Sequence, residues 1–487
     1  MNEKQRRFWL WAGTALVVGL ILRLWFVVHM ARVVGDSLVY GDIAKTWLQH
    51  GVYGLSSDDP SGARPTLSRL PGYPMFLAAC FRLFGMENYR AVLDVQVAVD
   101  LCTCCLASAL AGRLFGPRAR LPVLWIAALC PFTANYTATA LAETLVFATI
   151  ALAFYAFARW QDAGLGYNRW LWNRWLWIVA AALSYSILLR PEQGLLAAAV
   201  LPAMLWRSLA SGKSRRPLRA ALPVLAAALC TALPFIPWTA RNATVFHVFQ
   251  PLAPRDANDP GELDLHGYGR WYSAWAIDFT ETAEFCWPMD GESIPFTALP
   301  QRAFDAATPA ASADLRRRTE ALFAEYNTEY ILTPEIDARF DDLATVLIHA
   351  HPVRYYVGLP VARVLDMALR PRTESIPVSD QWWQASKHPS QTAFVSAYVA
   401  LNLAYFAVAF IGFSVWKRSA WLSPVPGQRA YGELAAAMVA SIVLRSALLL
   451  FIVNAEPRYT LEFFPIFFVW TGALFTAPHP CPPSGAP

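Results

Sequence analysis

Charge is scarce in this chain of 487 residues, where Asp, Glu, Lys and Arg make up only 15% of the sequence. A soluble domain carries about 25%, and hydrophobic residues here reach 56%, so an ordinary soluble fold is excluded. The net charge of +5 is small. Loop arginines set by membrane topology account for it, and no nucleic-acid partner is implied. Cysteine is also sparse, with eight residues. Cys80, Cys102, Cys104, Cys105, Cys130 and Cys230 lie in apolar segments, where a free thiol behaves as a small hydrophobe. The run CTCC at 102–105 has no histidine beside it and reads as packing; no residue is assigned to a metal. No small-residue cleavage site follows the basic start MNEKQRR, so the first apolar run is expected to be a retained span with a cytoplasmic start. No internal repeat of the kind found in many transporters is visible.

Long apolar runs are present instead. They fall near 8–30, 88–112, 121–136, 140–158, 175–189, 191–206, 219–238, 392–416, 433–453 and 461–477, about ten spans of bilayer length. Alternate connections are rich in cations: Arg113, Arg118 and Arg120; Arg159, Arg169 and Arg174; Arg207, Lys213, Arg215, Arg216 and Arg219; Lys417, Arg418 and Arg429. By the positive-inside rule these are the cytoplasmic loops. The reading is an all-α polytopic membrane protein of the cell membrane with two long extracytoplasmic loops. Its expected parts are a transmembrane module at 1–240 that includes a first loop at 31–87, an extracytoplasmic region at 241–390, C-terminal transmembrane helices at 391–477, and a cytoplasmic tail at 478–487. Trp and Tyr in the long loops argue for order and interfacial seating.

The stretch GDSLVYGDIAKTW, residues 35–47, follows the first span. As a helix it places Asp36, Tyr40, Ile43 and Trp47 on one face, widened by Val39, Ala44 and Leu48. Asp42, Lys45 and Gln49 fall opposite, where a charge is simply solvated. Asp36 therefore heads an apolar face. Glu143, in TANYTATALAETLVF, is the one charged residue between Arg120 and Arg159. An ionisable group near the outer end of a span faces a cavity or a partner, or reaches water one turn below the interface. Four arginines come to the same outer surface against the positive-inside bias: Arg69 before LPGYP, Arg190 in RPEQ, Arg241 in PWTARN and Arg458 in EPRYTLEFFP. Each either snorkels to headgroups or forks onto an anion. Tyr459 stands beside Arg458. Arg445, deep in the ninth span, is paired within the bundle or belongs to the same anion site.

At these residues the chain resembles the GT-C glycosyltransferases. More narrowly, it resembles bacterial relatives of the dolichyl-phosphate-mannose protein mannosyltransferases and of the lipid A aminoarabinose transferase. The carboxylate after the first span followed by Y..IA..W...G is similar to their first loop, and RLPGYPMFLAACFRLFG to its second half. ALAETL, IPWTARN and EPRYTLEFFP are similar to their later motifs. The resemblance implies transfer of a sugar from a polyprenyl-phosphate donor to an acceptor hydroxyl of a lipid, glycan or protein outside the cytoplasm. It carries the catalytic base onto Asp36, with Glu143 the second candidate catalytic residue. Tyr40, Arg69, Arg190, Arg241, Arg458 and Tyr459 are the candidate substrate-binding residues. Where many relatives have an adjacent DE pair, Ser37 follows Asp36 here. The cofactor requirement stays open, with a divalent metal among the options. A transporter and a non-catalytic lipid-glycan scaffold are the competing readings. Charges gathered at one surface, rather than at the midplane, favour an interfacial enzyme.

Overall fold

The computed structural model describes residues 2–163, 170–210, 217–255, 257–286, 293–379, 381–422 and 431–476. The expected tail at 478–487 and the loop cations Arg169, Lys213, Arg215, Arg216 and Arg429 lie outside the described residues. Two compact units divide the chain. The first comprises Met1–Asp259, Leu403–Val443 and Leu461–Pro487, and the second Pro260–Asn402 and Leu444–Thr460.

The first unit opens with α1 (Glu3–His29), started by a capping box in which Asn2 and Gln5 satisfy each other's backbone N–H groups. α2 (Asp36–His50) leads into a short antiparallel hairpin, β1 (Gly54–Ser56) with β2 (Ala63–Pro65). There follow α3 (Gly72–Phe84), α4 (Tyr89–Phe115), α5 (Pro117–Ala128), α6 (Pro131–Tyr136), α7 (Glu143–Asp162), α8 (Arg174–Leu189), α9 (Gly194–Ala210), α10 (Pro217–Ala232) and α11 (Phe235–Val245). The segments near 8–30 and 88–112 hide a charge pair. Arg23 is fully buried, and its Nε donates to Asp100 Oδ2 of α4 at 2.7 Å. Its Nη1 donates to the carbonyls of Gly19 and Ala128, both at 2.8 Å, and Nη2 reaches Cys104 Sγ at 3.4 Å. A buried guanidinium is tolerable only when its donors are met in this way. The pair pins α1 to α4, and Cys104 of CTCC packs against it.

The second unit holds α12 (His266–Ser273), α13 (Phe279–Glu281), α14 (Pro309–Glu329), α15 (Pro334–Ala350) and α16 (Leu359–Leu369). Its core is aromatic: Tyr268, Trp271, Trp275, Phe285, Phe323, Tyr326 and Phe340 are all buried together. Thr308 and Thr333 cap α14 and α15, each accepting from the backbone N–H three residues on. The sequence ADLRRRTEALFAEYNTEY thus folds almost wholly within α14, with Leu315, Leu322, Phe323 and Tyr326 turned inward.

α17 (Pro389–Leu422) and α18 (Gly432–Leu449) are divided between the units, and α19 (Phe464–Thr471) closes the first. Among the described residues, seven helical segments are long and apolar enough to cross a membrane: Glu3–His29, Tyr89–Phe115, Glu143–Asp162, Pro191–Ala210, Pro217–Val245, Pro389–Arg418 and Gly432–Leu449. The other expected stretches, near 121–136, 175–189 and 461–477, fold as the shorter helices α5, α6, α8 and α19. The chain is an all-α, multi-pass membrane protein.

Candidate active site

Two helices begin from one point in the first unit. Arg32 and Thr139 form an isolated parallel bridge, with Arg32 N–H donating to Ala138 O at 2.9 Å and Ala140 N–H to Arg32 O at 3.4 Å. Four residues beyond each bridge partner the chain turns helical, at Asp36 in α2 and at Glu143 in α7. Gly35, with φ of 55°, makes the first of these turns. Each helix therefore opens on a carboxylate, where the exposed N–H groups of a first turn favour negative charge. Each acid thus stands four residues beyond one partner of the bridge, although the two are more than a hundred residues apart in sequence.

Asp36 Oδ1 accepts from Arg69 Nη2 at 2.9 Å, and its side chain remains 32% exposed. Arg69 is delivered by the hairpin. Arg241 clamps both of the hairpin's ends, donating from Nη1 to Thr66 O at 2.8 Å and from Nη2 to Tyr53 O at 2.6 Å. Tyr53 Oη in turn donates to Arg69 O at 3.0 Å. Asp259 supports the same loop by accepting from Thr66 Oγ1 and Leu67 N–H. Asp42 is more than a solvated charge, since it accepts from Ser56 N–H at 2.7 Å and from Ser56 Oγ, fixing β1 to α2. The packed face of α2 also differs from its apolar stripe. Ser37, Gly41, Ile43, Ala44 and Thr46 are buried, while Trp47 and Leu48 are exposed. Close approach decides this: a Cβ on Gly41 would sit 1.8 Å from Tyr89 Oη.

Glu143 is buried, and its Oε1 accepts from Arg190 Nη1 at 3.2 Å. Arg190 ends α8 and also meets Glu192 through Nε at 3.0 Å and Glu462 through Nη1 at 3.5 Å. Gln193 donates to the second oxygen of Glu462. The glycine of LPGYP lets the start of α3, just after Arg69, pack on the end of α8, just before Arg190. A Cβ on Gly72 would lie 2.4 Å from the Leu188 carbonyl carbon, so the start of α3 rests on the backbone at the end of α8. Tyr73, the next residue, donates to Gln96 Oε1 at 2.7 Å, and Gln96 donates to the carbonyls of Thr137 and Thr139 beside the bridge.

Tyr40 joins the two halves. Its ring meets Tyr73 edge-on at 5.1 Å, and the Arg69 guanidinium lies 6.0 Å from its centroid. Burial pushes its phenol up to about 12; the Asp36 carboxylate and, more weakly, Glu143 add to the rise, while Arg69 and Arg190 oppose it. Asp36, Arg69 and Tyr40 are thus linked in turn, and Tyr73 and Gln96 connect them to the bridge that precedes Glu143. Arg241 braces the loop that carries Arg69. Arg458 and Tyr459 belong to the second unit, where both converge on Glu456: Arg458 Nη2 donates to Oε1 at 2.7 Å and Tyr459 Oη to the same oxygen at 3.0 Å. Arg445 lies over the Tyr459 ring at 5.8 Å. The acids and amides that complete these networks, Glu192, Gln193, Glu456 and Glu462, escaped the sequence reading although RPEQ and EPRYTLEFFP contain them. Their signal was a carboxylate beside an arginine in an apolar setting. Among the described residues no group of three or more His, Cys, Asp or Glu side chains is disposed to hold a metal ion.

No curated protein matches the chain. Among solved structures it is similar to the archaeal oligosaccharyltransferase AglB from Archaeoglobus fulgidus, in complex with an inhibitory peptide and a dolichol-phosphate. That similarity has 12% identity and a TM-score of 0.47, and covers 95% of this chain and 50% of that one. The chain thus spans about half the length of that relative. It is also similar to ArnT from Cupriavidus metallidurans in the apo state, at 16% identity and a TM-score of 0.38, over 97% of this chain and 78% of the other. The same protein bound to undecaprenyl phosphate gives 14% identity and a TM-score of 0.37, over 96% and 77%. Arg69, Gly72, Glu143 and Arg190 all fall within residues 64–239, the segment that matches the family model of the dolichyl-phosphate-mannose-protein mannosyltransferases.

Proposed function

We propose that the chain is a GT-C glycosyltransferase that moves a sugar from a polyprenyl-phosphate donor to an acceptor hydroxyl on the extracytoplasmic side of the cell membrane. The observation that carries this reading is the pair of carboxylate–arginine contacts, Asp36–Arg69 and Glu143–Arg190, on two helices that follow one backbone bridge, with Arg69, Glu143 and Arg190 inside the segment that matches the dolichyl-phosphate-mannose-protein mannosyltransferase family model. In the proposed step Asp36 takes the acceptor's hydroxyl proton while that oxygen attacks the anomeric carbon. The bond from that carbon to the phosphate oxygen breaks, and the phosphate leaves with the electron pair. Arg69 and Arg190 meet the growing negative charge, which a guanidinium fork does well. Asp36 is the better base because its side chain reaches solvent, whereas Glu143 is enclosed with Arg190. Glu143 orients Arg190, and Arg241 acts through the loop it braces. A hexose or a pentose, and a lipid, glycan or protein acceptor, would each fit this chemistry.

The test is turnover by the full chain in vesicles supplied with a panel of polyprenyl-phosphate sugars, following release of free polyprenyl phosphate. The expected result is release by the wild-type chain and near-complete loss in Asp36→Asn. Solute flux across the vesicle wall with every donor left intact would favour a transporter instead.

A further inference from the structure

A helix outside the seven candidate spans presents an apolar face. Residues 352–369 of the second unit form one continuous helix, whose π-helical turn Arg354–Gly358 runs into α16. Along it Val353 is 74% exposed, Tyr356 69%, Val357 58%, Val361 45%, Leu365 52% and Leu369 44%. Scattered exposed hydrophobics are normal on a soluble surface, but a stripe of six on one helix is not. The charges of the same helix point the other way. Arg354 Nη1 donates to Asp305 at 2.7 Å, and Arg363 is buried with Nε donating to Ala276 O at 2.9 Å and Nη2 to Ser273 O. Asp366 pairs with Arg370 at 3.7 Å. The helix is thus polar inward and apolar outward, the reverse of what water selects.

We propose that helix 352–369 is embedded against lipid acyl chains, with Val353, Val357, Val361, Leu365 and Leu369 forming its lipid-facing ridge. Three observations favour lipid over a protein partner. Every charged side chain of the helix is already engaged within its own unit, so burying the ridge in acyl chains strands no charge. At a rise of 1.5 Å per residue the helix is roughly 27 Å long, close to the hydrocarbon thickness of about 30 Å. The chain then continues through Trp382 and Trp383, the latter 60% exposed, into the apolar span Pro389–Arg418. Tryptophans at such an approach are typical of a membrane interface. The ridge ends at Leu369, and the next helix, from Pro389, is long and apolar enough to cross a membrane.

Photo-crosslinking tests this on the full chain in vesicles of phosphatidylethanolamine and phosphatidylglycerol. p-Benzoylphenylalanine would replace Val361 or Leu365 in one pair of variants, and Arg317, an exposed residue of α14, in a control. Both ridge positions are exposed, so the larger side chain leaves the core untouched. Irradiation followed by mass spectrometry is expected to give phospholipid adducts at 361 and 365, at least tenfold above the control. A crosslinked second copy of the chain at these positions would make the ridge a protein interface and overturn the proposal. Adduct levels equal to those at Arg317 would place the ridge in water and overturn it equally.

Discussion

Asp36–Arg69 and Glu143–Arg190 are the same chemical pair in two settings. Both carboxylates open helices that start from one backbone bridge. The side chains of the first pair are 32% and 23% exposed, those of the second 3% and 13%. The first pair has solvent beside it; the second is enclosed, and its guanidinium also meets Glu192 and Glu462. Burial changes what a pair does. An accessible carboxylate can exchange a proton with an incoming hydroxyl, whereas an enclosed one fixes the position of its partner.

The sharpest way to break this comparison is at the accessible acid. Asp36→Asn keeps the shape but removes the proposed base, and transfer is expected to fall about 10²- to 10⁴-fold. The fold should be undisturbed, because Asp36 lies at a solvated helix start. Initial rates and a thermal melt on the same preparation check both halves. Equal activity in wild type and variant would remove Asp36 from the chemistry.

Arg190→Met probes the enclosed side. It leaves Glu143 and Glu462 buried without their shared cation, and breaking such a pair costs about 3–5 kcal/mol. Adding Glu462→Gln to that variant should recover part of the loss. Thermal unfolding in detergent measures this, and the double variant melting below the single one would count against a shared-cation role.

The parts of this arrangement that were legible in the sequence are those with local signatures. The apolar runs, the carboxylate after the first span, Glu143 alone in an apolar stretch and the arginines of the quoted motifs could all be read by composition and position. The division of labour among them could not. Arg241 looks like an anion ligand in PWTARN, yet its terminal nitrogens hold two hairpin carbonyls, a partnership across more than 170 residues. The buried face of α2 follows from Gly41 against Tyr89, a packing relation that hydrophobic periodicity does not encode. Arg23 and Asp100 each look like a blemish in an apolar run until they are seen to neutralise one another. The bridge between Arg32 and Thr139, after which both acids follow, is made of backbone atoms and leaves no side-chain pattern to read.

Gly72→Ala sharpens the comparison by moving one half against the other. Its new methyl would meet Leu188 and Leu189 backbone atoms at 2.4–2.5 Å, and backbone cannot swing aside. Overpacking of this kind costs about 1–3 kcal/mol. Because the contact lies between Arg69 and Arg190, donor affinity should fall along with the melting temperature. An unchanged affinity would show that the spacing of these two arginines does not matter to the donor.

The smallest effect is expected at Asp42, the other carboxylate of α2. Its hydrogen bonds to Ser56 N–H and Oγ tie β1 to the helix, and through the hairpin to Arg69. Asp42→Asn keeps one acceptor oxygen and loses the charge. A hydrogen bond to a charged group contributes about 1.5–3 kcal/mol and a neutral one about 0.5–1.5, so a loss near 1 kcal/mol is expected. Solvent at this partly exposed site trims it further. Transfer should stay within a few-fold of wild type, since Asp42 supports the loop without facing Arg69. Measuring it beside Asp36→Asn makes the two carboxylates compete directly. If Asp42→Asn abolished transfer while Asp36→Asn spared it, the base would be the acid on the hairpin side, and the solvent-reaching pair at the helix start would have to be read as structural.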